Sequence, residues 1–195
     1  MSSYRYSSLL LEGDNIRLLR LLPAKDEAAP LQCKLHNYSL QQSGPRTHLY
    51  EALSYVWGDS TRPLPKFIFI DTYHLPVTVN LHAALSRLRD HSFERIIWVD
   101  AVCINQENLK EQGQQVQLMA KIYSNAHRVI VWLGEDTEGA LEDIRLAANG
   151  ELERSKNEIN QQAILNLLQK PWFQRIWVRE QTLNHNYQTT LTQFD

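Results

Sequence analysis

The chain has 195 residues, of which 43% are apolar, and its 20 basic and 22 acidic residues give a formal charge of −2. This apolar content is enough for one domain with a substantial core, and the length is short for two domains. The near balance of charge gives no sign of a strongly basic protein. We therefore expect neither nucleic acid nor an anionic membrane surface as a partner.

The two cysteines, Cys33 and Cys103, lie far apart and form neither a metal-binding spacing nor a disulfide framework. This cysteine usage fits a reducing compartment. The N-terminal stretch 1–15 lacks a charged segment followed by a long apolar run, and no segment approaches the ~20 apolar residues that span a bilayer. We expect a cytoplasmic protein with no membrane span.

The first 49 residues are expected to form an N-terminal β extension. Residues 16–22 (IRLLRLL) predict a strand, and residues 31–40 (LQCKLHNYSL) alternate apolar and polar side chains as a half-buried strand does. Their proximity in the chain predicts an antiparallel pair at one edge of a sheet.

The next segment predicts a short buried strand, a hairpin and a helix. Residues 50–57 (YEALSYVW) form the strand, which stops at Gly58. Two β-rich runs, 66–70 and 75–79, form the hairpin. Asn80 is then expected to cap a helix that ends near His91.

Residues 95–134 predict a βαβ unit. Two apolar, β-branched runs, 95–100 and 128–133, flank a segment with helical spacing between residues 107 and 125. The apolar side chains of that helix are expected to pack on the core: Val116, Met119, Ala120, Ile122 and Tyr123. Asp100, Cys103, Asn105 and Gln106 follow the first run, at the carboxyl end of a strand, where open α/β sheets collect ligand-binding groups.

Helices are predicted near residues 138–148, 159–169 and 172–183, and Pro171 suits the first turn of the last one. The expected buried side of that helix consists of Trp172, Ile176, Trp177 and Leu183. The polar tail 184–195 is expected to be flexible. The chain thus divides into the β extension 1–49, an α/β core 50–183 and this tail.

Several residue types suggest chemistry, and each also has a structural explanation. Cys103 is a candidate nucleophile, but no histidine lies at a spacing that guarantees contact with it, so we favour a buried structural thiol. The histidines considered as its base are His74, His82 and His127. No metal-ligand cluster and no phosphate-binding loop of the nucleotide-triphosphatase type is present.

The groups at strand ends leave alternatives open. Asp100 either handles a ligand or caps the following turn, and Asn105 and Gln106 either contact a ligand or tie down the loop backbone. Gly58 and Gly134 supply backbone angles that other residues avoid. Core packing is the favoured role for Trp98, Trp132 and Trp172, whereas Trp57 suits the core and a ligand platform equally.

Several multi-residue segments resemble, in order and spacing, the motifs of the fungal heterokaryon incompatibility (HET) domain. The segments are YEALSYVWGDS (50–60), LHAALSRLR (81–89), IWVDAVCINQ (97–106), QVQLMAKIYSNAHRVIVWLG (115–134) and PWFQRIWV (171–178). IRLLRLLP and LQCKL resemble the usual opening of the family. HET domains are known as death-inducing modules of fungal non-self recognition, and they are distantly similar to TIR domains, some of which cleave NAD. The resemblance implies an α/β fold with a TIR-like or flavodoxin-like, mostly parallel central sheet, flanking helices and added β-hairpins.

The TIR pattern implies that residues 175–181 (RIWVREQ) lie on the helix that carries the catalytic glutamate. The expected position, four residues after Trp177, holds Gln181, and Glu180 is one place early. One helical residue is a rotation of ~100°, so these two side chains cannot face the same cleft. Either Glu180 works through a shifted helix, or the site is weakened or deliberately inactivated. Gln112 is a second departure, because the family often has arginine there.

The resemblance implies NAD+ as substrate, with no prosthetic cofactor. Cleavage of the nicotinamide–ribose bond needs a carboxylate near the sugar, an aromatic surface and donors for phosphates. The candidate catalytic positions are Glu180 and Gln181. The candidate binding residues are Trp57 or Trp177 for stacking, Gly58 for a phosphate, Asp59 for ribose hydroxyls, and Asp100 and Asn105 at the neighbouring strand end.

The expected partners are NAD+ or a related nucleotide, further copies of the domain on activation, and a regulatory domain or protein. The alternative function is a non-enzymatic interaction module that signals death by recruitment. Gln181 favours that alternative, because it replaces the expected carboxylate.

Overall fold

The computed structural model describes residues 2–10, 12–41, 49–58, 66–135, 165, 168–174 and 189–190. The strands are β1 (Asn15–Leu21), β2 (Gln32–Ser39), β3 (Glu51–Tyr55), β4 (Lys66–Ile70), β5 (Tyr73–Val77), β6 (Arg95–Trp98), β7 (Arg128–Trp132) and β8 (Thr189–Thr190). The helices are α1 (Val79–Leu88), α2 (Asp100–Cys103), α3 (Leu109–Asn125) and a 3₁₀ turn at Pro171–Gln174.

The described strands form one sheet in the order β5-β4-β2-β1-β6-β3-β7-β8. Neighbours β6, β3, β7 and β8 are parallel, as are β2 and β4, whereas β1 pairs antiparallel with both β2 and β6, and β4 pairs antiparallel with β5. The α/β class is therefore confirmed, but the sheet is mixed. The predicted βαβ unit is present, with β3 between its two strands.

The N-terminal strand pair has the predicted antiparallel register, in which Leu19 lies opposite Leu35. Its predicted location at an edge is wrong, because β1 also pairs with β6 and β2 with β4. Residues 16–19 are buried, which fits a strand covered on both faces. The predicted hairpin, β4 and β5, forms the outer part of the sheet instead, and Tyr4 N–H bonds the His74 carbonyl at 2.9 Å there.

Thr78, and not Asn80, caps α1. The Thr78 Oγ1 accepts a hydrogen bond from Leu81 N–H at 3.2 Å, and Thr78 has the extended backbone of a cap residue. Threonine and asparagine both cap helices, so residue type alone did not distinguish Thr78 from Asn80. The Asn80 side chain makes tertiary hydrogen bonds instead. The helix ends at Leu88, before the predicted His91, since Arg89 has extended backbone angles.

Helix α3 buries a face that overlaps the predicted one only in part. Ile122 and Tyr123 are buried and Met119 packs half-buried against the core, as predicted. Val116, in contrast, is 54% exposed, and Ala120 is exposed as well. Glu111 and Gln115 are buried in their place. The helix is rotated because a cation in the core requires the Glu111 carboxylate.

That cation is Arg17 of β1, which is 1% exposed. Its guanidinium pairs with both Glu111 carboxylate oxygens and donates to the carbonyls of Ser7 at 2.7 Å and Cys103 at 3.3 Å. Asn105 N–H donates to Glu111 Oε1 at 2.7 Å. A buried charge is tolerated only when it is paired and hydrogen-bonded. This network therefore joins β1, the start of α3 and the loop between α2 and α3.

A second ion-pair cluster joins the amino ends of three parallel strands. Glu51 of β3 accepts hydrogen bonds from Arg95 of β6 at 2.8 Å and from Arg128 of β7. Burial alone would raise the pKa of Glu51, but the two arginines outweigh burial and lower it. The cluster holds the starts of these strands in register.

The C-terminal part is described only in pieces. Pro171 opens the 3₁₀ turn, and Trp172 is buried as predicted, with its Nε1–H donating to Ser54 Oγ at 2.9 Å. The predicted helix 138–148, most of 159–169 and residues 175–183 lie outside the described residues. Thr189 and Thr190, within the predicted tail, pair with β7.

Glu111→Gln is expected to lower the free energy of unfolding by about 3 kcal/mol or more, because it leaves the Arg17 charge buried without a counter-charge. The measurement is urea unfolding near neutral pH. Glu94→Gln is the matched control, since the Arg20–Glu94 pair has both side chains 40% exposed and should contribute at most about 1 kcal/mol. Equal losses in the two variants would contradict the assignment.

Glu51→Gln is expected to flatten the acid limb of the stability profile. Because the folded pKa of Glu51 lies below its ordinary value of 4.5, its contribution is present above about pH 4.5 and is lost as pH falls through the folded pKa. The measurement is unfolding free energy between pH 3 and pH 7. A variant whose pH dependence matches that of the parent protein would count against this linkage.

Candidate functional site

The carboxyl ends of β6, β3 and β7 lie side by side at one edge of the sheet. The chain leaves β3, returns through β6 on one side of it and then passes through α3 to β7 on the other side. Ligands of open α/β sheets bind outside the carboxyl ends of strands at such a reversal of order. Two hydrogen-bonded pairs of side chains lie here, Trp57 with Asp100 and Asn80 with Trp132, and we call these four residues the exit cluster.

Trp57 and Asp100 are joined by a hydrogen bond from indole Nε1–H to Oδ2, at 2.8 Å. The other carboxylate oxygen of Asp100 accepts Ala101 N–H at 2.7 Å, so the side chain also serves the turn that follows, as one sequence alternative predicted. Trp57 is 38% exposed. Its ring is therefore a surface ring held from one edge, and the core alternative is excluded.

Asn80 bridges the exits of β3 and β7. Its Nδ2 donates to the Val56 carbonyl at 2.5 Å, and its Oδ1 accepts Trp132 Nε1–H at 2.9 Å. Sequence reasoning missed this role. The sequence did hold one indication of it: the indole N–H of a tryptophan in a strand, such as Trp132, usually needs a hydrogen-bond acceptor.

Gly58 continues the chain from Trp57 with a φ of +81°, in the left-handed region that favours glycine. A Cβ built on Gly58 would lie 3.8 Å from the Asn80 Cβ, in ordinary contact. The backbone angle therefore explains the glycine, as the structural alternative predicted. Gly134, after β7, has a φ of +105°, which likewise favours glycine at that position.

The loop between α2 and α3 uses its amides internally. Asn105 Oδ1 accepts Glu107 N–H at 3.2 Å. Gln106 donates to the Asp100 carbonyl at 2.9 Å and accepts from Gln112 Nε2 at 3.0 Å. The structural alternative for Asn105 and Gln106 therefore describes them, and Gln112, one of the departures from the family pattern, supports the same loop.

Cys103 is a buried structural thiol, as predicted. The side chain is 0% exposed, its sulfur lies 3.4 Å from Val99 N and 3.8 Å from the Ile97 carbonyl, and burial raises its pKa to about 12. A thiol at neutral pH with that pKa is a poor nucleophile. Trp98 is also core as predicted, fully buried with its ring edge-on to Tyr123.

Asp59, Trp177, Glu180 and Gln181 lie outside the described residues, so their assigned roles stay predictions. Within the described part of the chain, no group of three His, Cys, Asp or Glu side chains is arranged to hold a metal ion. In that same part, no helix has the length and apolar character needed to cross a membrane.

The fold and the exit cluster define an α/β domain that presents an exposed indole and a carboxylate at the carboxyl ends of parallel strands. The chain belongs to the heterokaryon incompatibility protein (HET) family, whose pattern matches residues 50–180. It is similar to heterokaryon incompatibility protein 6, OR allele, of Neurospora crassa, with 38% identity over 144 residues, 67% of this chain and 21% of the relative. The chain thus spans about a fifth of that relative. No solved structure matches it.

Asn80→Leu is expected to lower the free energy of unfolding by about 1–3 kcal/mol, because the Trp132 indole N–H and the Val56 carbonyl each lose a partner. Urea unfolding measures the loss, and the indole N–H resonances of Trp57 and Trp132 report where it acts. Asn37→Leu, at an exposed position of β2, is the matched control. Unchanged indole resonances in Asn80→Leu would contradict the bridge.

Proposed function

We propose that this chain is a cell-death effector domain of fungal heterokaryon incompatibility, acting in the cytoplasm. Family membership and the named function of the Neurospora relative support the biological role. For the mechanism we propose cleavage of the nicotinamide–ribose bond of NAD+, as in the TIR enzymes that the motifs resemble. Clustering by a regulatory domain or partner would activate it by raising the local concentration of domains.

The bond between Trp57 and Asp100 is the observation that carries the proposal. It holds a 38% exposed aromatic ring beside a carboxylate at the carboxyl ends of β3 and β6. The four parallel strands lie in the order β6-β3-β7-β8. If they are numbered along the chain from β3, this order is 2-1-3-4, as in flavodoxin-like sheets, which bind their ligand at the carboxyl ends of the strands. A nucleotide ring stacked on Trp57 would lie over the carboxyl ends of β3 and β6.

Each group then has a defined task. The Trp57 indole stacks on the nicotinamide. Asp100 holds the edge of the indole and adds negative charge near the developing cation. Gly58 lets backbone amides approach a phosphate, and Asp59 binds ribose hydroxyls. The carboxylate that stabilises the oxocarbenium-like centre comes from position 180 or 181. Asn105 is a weak candidate for a direct contact, because its side-chain oxygen already accepts the Glu107 amide.

Gln181 favours a second candidate function, the interaction module. In that case the same exposed indole contacts a protein partner, and death follows from recruitment with no bond cleavage. An amide at position 181 is compatible with this role, whereas the enzyme needs a carboxylate that Glu180 supplies only through a shifted helix.

NAD+ turnover by the purified domain at high concentration tests the mechanism. If Glu180 is the working carboxylate, the parent cleaves NAD+ and Glu180→Ala loses about 100-fold or more in rate. If the family register holds, the parent is nearly inactive and Gln181→Glu switches cleavage on. In either case Trp57→Phe is expected to retain more activity than Trp57→Ala, because stacking needs a ring.

Phe93→Ala is the control for these rates, since Phe93 is 74% exposed and lies outside the exit cluster. Absence of turnover in the parent and in Gln181→Glu, under conditions where the domain associates, refutes NAD+ cleavage. Cell death that persists in such inactive proteins and is lost in Trp57→Ala would establish the interaction module instead.

A further inference from the structure

Helix α3 carries an apolar stripe on its solvent-facing side. The stripe consists of Leu109, Gly113, Val116 and Ala120, whose spacing of four, three and four residues is that of a heptad seam. Leu109 is 78% exposed and Val116 54%, and the two small residues are exposed as well. The stripe borders the buried face of α3, but the core that this face covers does not explain two large, exposed apolar side chains in line.

Gly113 is the second observation. It lies in the middle of α3, where glycine destabilises a helix through its backbone freedom. A Cβ built at this position would meet nothing within 4 Å, and Gly113 is not among the described residues with positive φ. The described fold gives no steric reason for glycine here. Glycine at this position would be explained if the backbone of another helix approached it closely, as small residues allow in pairs of membrane helices.

We propose that this stripe is a homotypic contact, in which α3 of a second copy packs antiparallel across a two-fold axis near residues 114 and 115. In this register Leu109 lies opposite Ala120 and Val116 lies opposite Gly113 of the other copy. Every large side chain meets a small one. Both copies use the same four residues, as an isologous interface requires. A parallel pair would instead place leucine on leucine and leave a gap at glycine.

The flanking charges are compatible with this arrangement. Lys110 of one copy comes near Lys121 of the other, but Lys121 is already paired with Asp14, with Nζ and Oδ2 2.5 Å apart. The Asp14 carboxylate therefore offsets the repulsion between the two lysines.

A single helix pair is small beside the ~1,200–2,000 Å² of stable interfaces, so the contact is weak between free domains. It becomes populated when tethering raises the local concentration to the millimolar range. The inference deepens the self-association part of the proposed function and does not depend on NAD+ cleavage.

Cysteine cross-linking tests the register. In the double variant Leu109→Cys/Ala120→Cys, each cysteine lies opposite its counterpart in the antiparallel dimer, whereas within one chain the two are about 16 Å apart along the helix and cannot bond. Mild oxidation at high protein concentration should give a covalent dimer at least ten times faster than in single Leu109→Cys. Equal rates, or faster dimerisation of the single variant, overturn the antiparallel contact.

Gly113→Leu separates the contact from the fold. Leucine has the higher helix propensity and open space around it, so the Tm should stay equal or rise. The side chain blocks the close approach, so association measured by sedimentation should weaken at least tenfold. Phe93→Lys, at a position 74% exposed outside α3, is the control and should leave association unchanged.

Association of Gly113→Leu as strong as that of the parent overturns the proposal. NAD+ turnover of the same samples keeps the two hypotheses apart. A dimer that depends on Gly113 but cleaves no NAD+ supports the contact and counts only against the enzymatic mechanism.

Discussion

The buried pair of Arg17 and Glu111 is the constraint on which the rest of the domain depends. A guanidinium in the centre of a sheet is stable only with a carboxylate and further acceptors, and these come from α3, from the Cys103 carbonyl and from the N-terminal segment. The pair therefore fixes the rotation of α3. It also fixes the loop from α2 to α3, because Asn105 N–H bonds the same carboxylate. The exposed stripe on α3 is the other consequence of this rotation.

Hydrophobic periodicity predicted most strands and the helices α1 and α3, because alternation and helical spacing are local properties of the chain. It missed the single turn α2, whose first residue, Asp100, was assigned to the end of the preceding strand. It failed where a charged group is core. Counting apolar residues places Glu111 and Gln115 in solvent, and only the knowledge that Arg17 is buried reverses that choice. The position of β1 inside the sheet was equally out of reach, since strand order depends on pairing between distant segments.

The sequence predicted where the candidate site lies, at the carboxyl ends of the strands, but not the hydrogen bonds that build it. The strand-end rule placed Asp100 at the ligand-binding edge of the sheet, and Trp57 was a candidate for stacking. Their hydrogen bond was not predicted, because it joins residues far apart in sequence. Asn80 was assigned to the helix cap by residue type alone. With Thr78 as the cap, its amide is available to hold the Val56 carbonyl and the Trp132 indole, so a polar residue expected to serve local structure instead serves tertiary structure.

The two ends of the parallel strands differ in a way that bears on chemistry. At the amino ends, Glu51 and two arginines form a closed ion-pair cluster. At the carboxyl ends, hydrogen bonds hold an indole that keeps more than a third of its surface exposed. Both Asp100 oxygens accept hydrogen bonds from the chain, which suits a group that orients a ring better than one that reacts. The proposed NAD+ cleavage therefore draws its reactive carboxylate from another segment, which the proposal assigns to position 180 or 181.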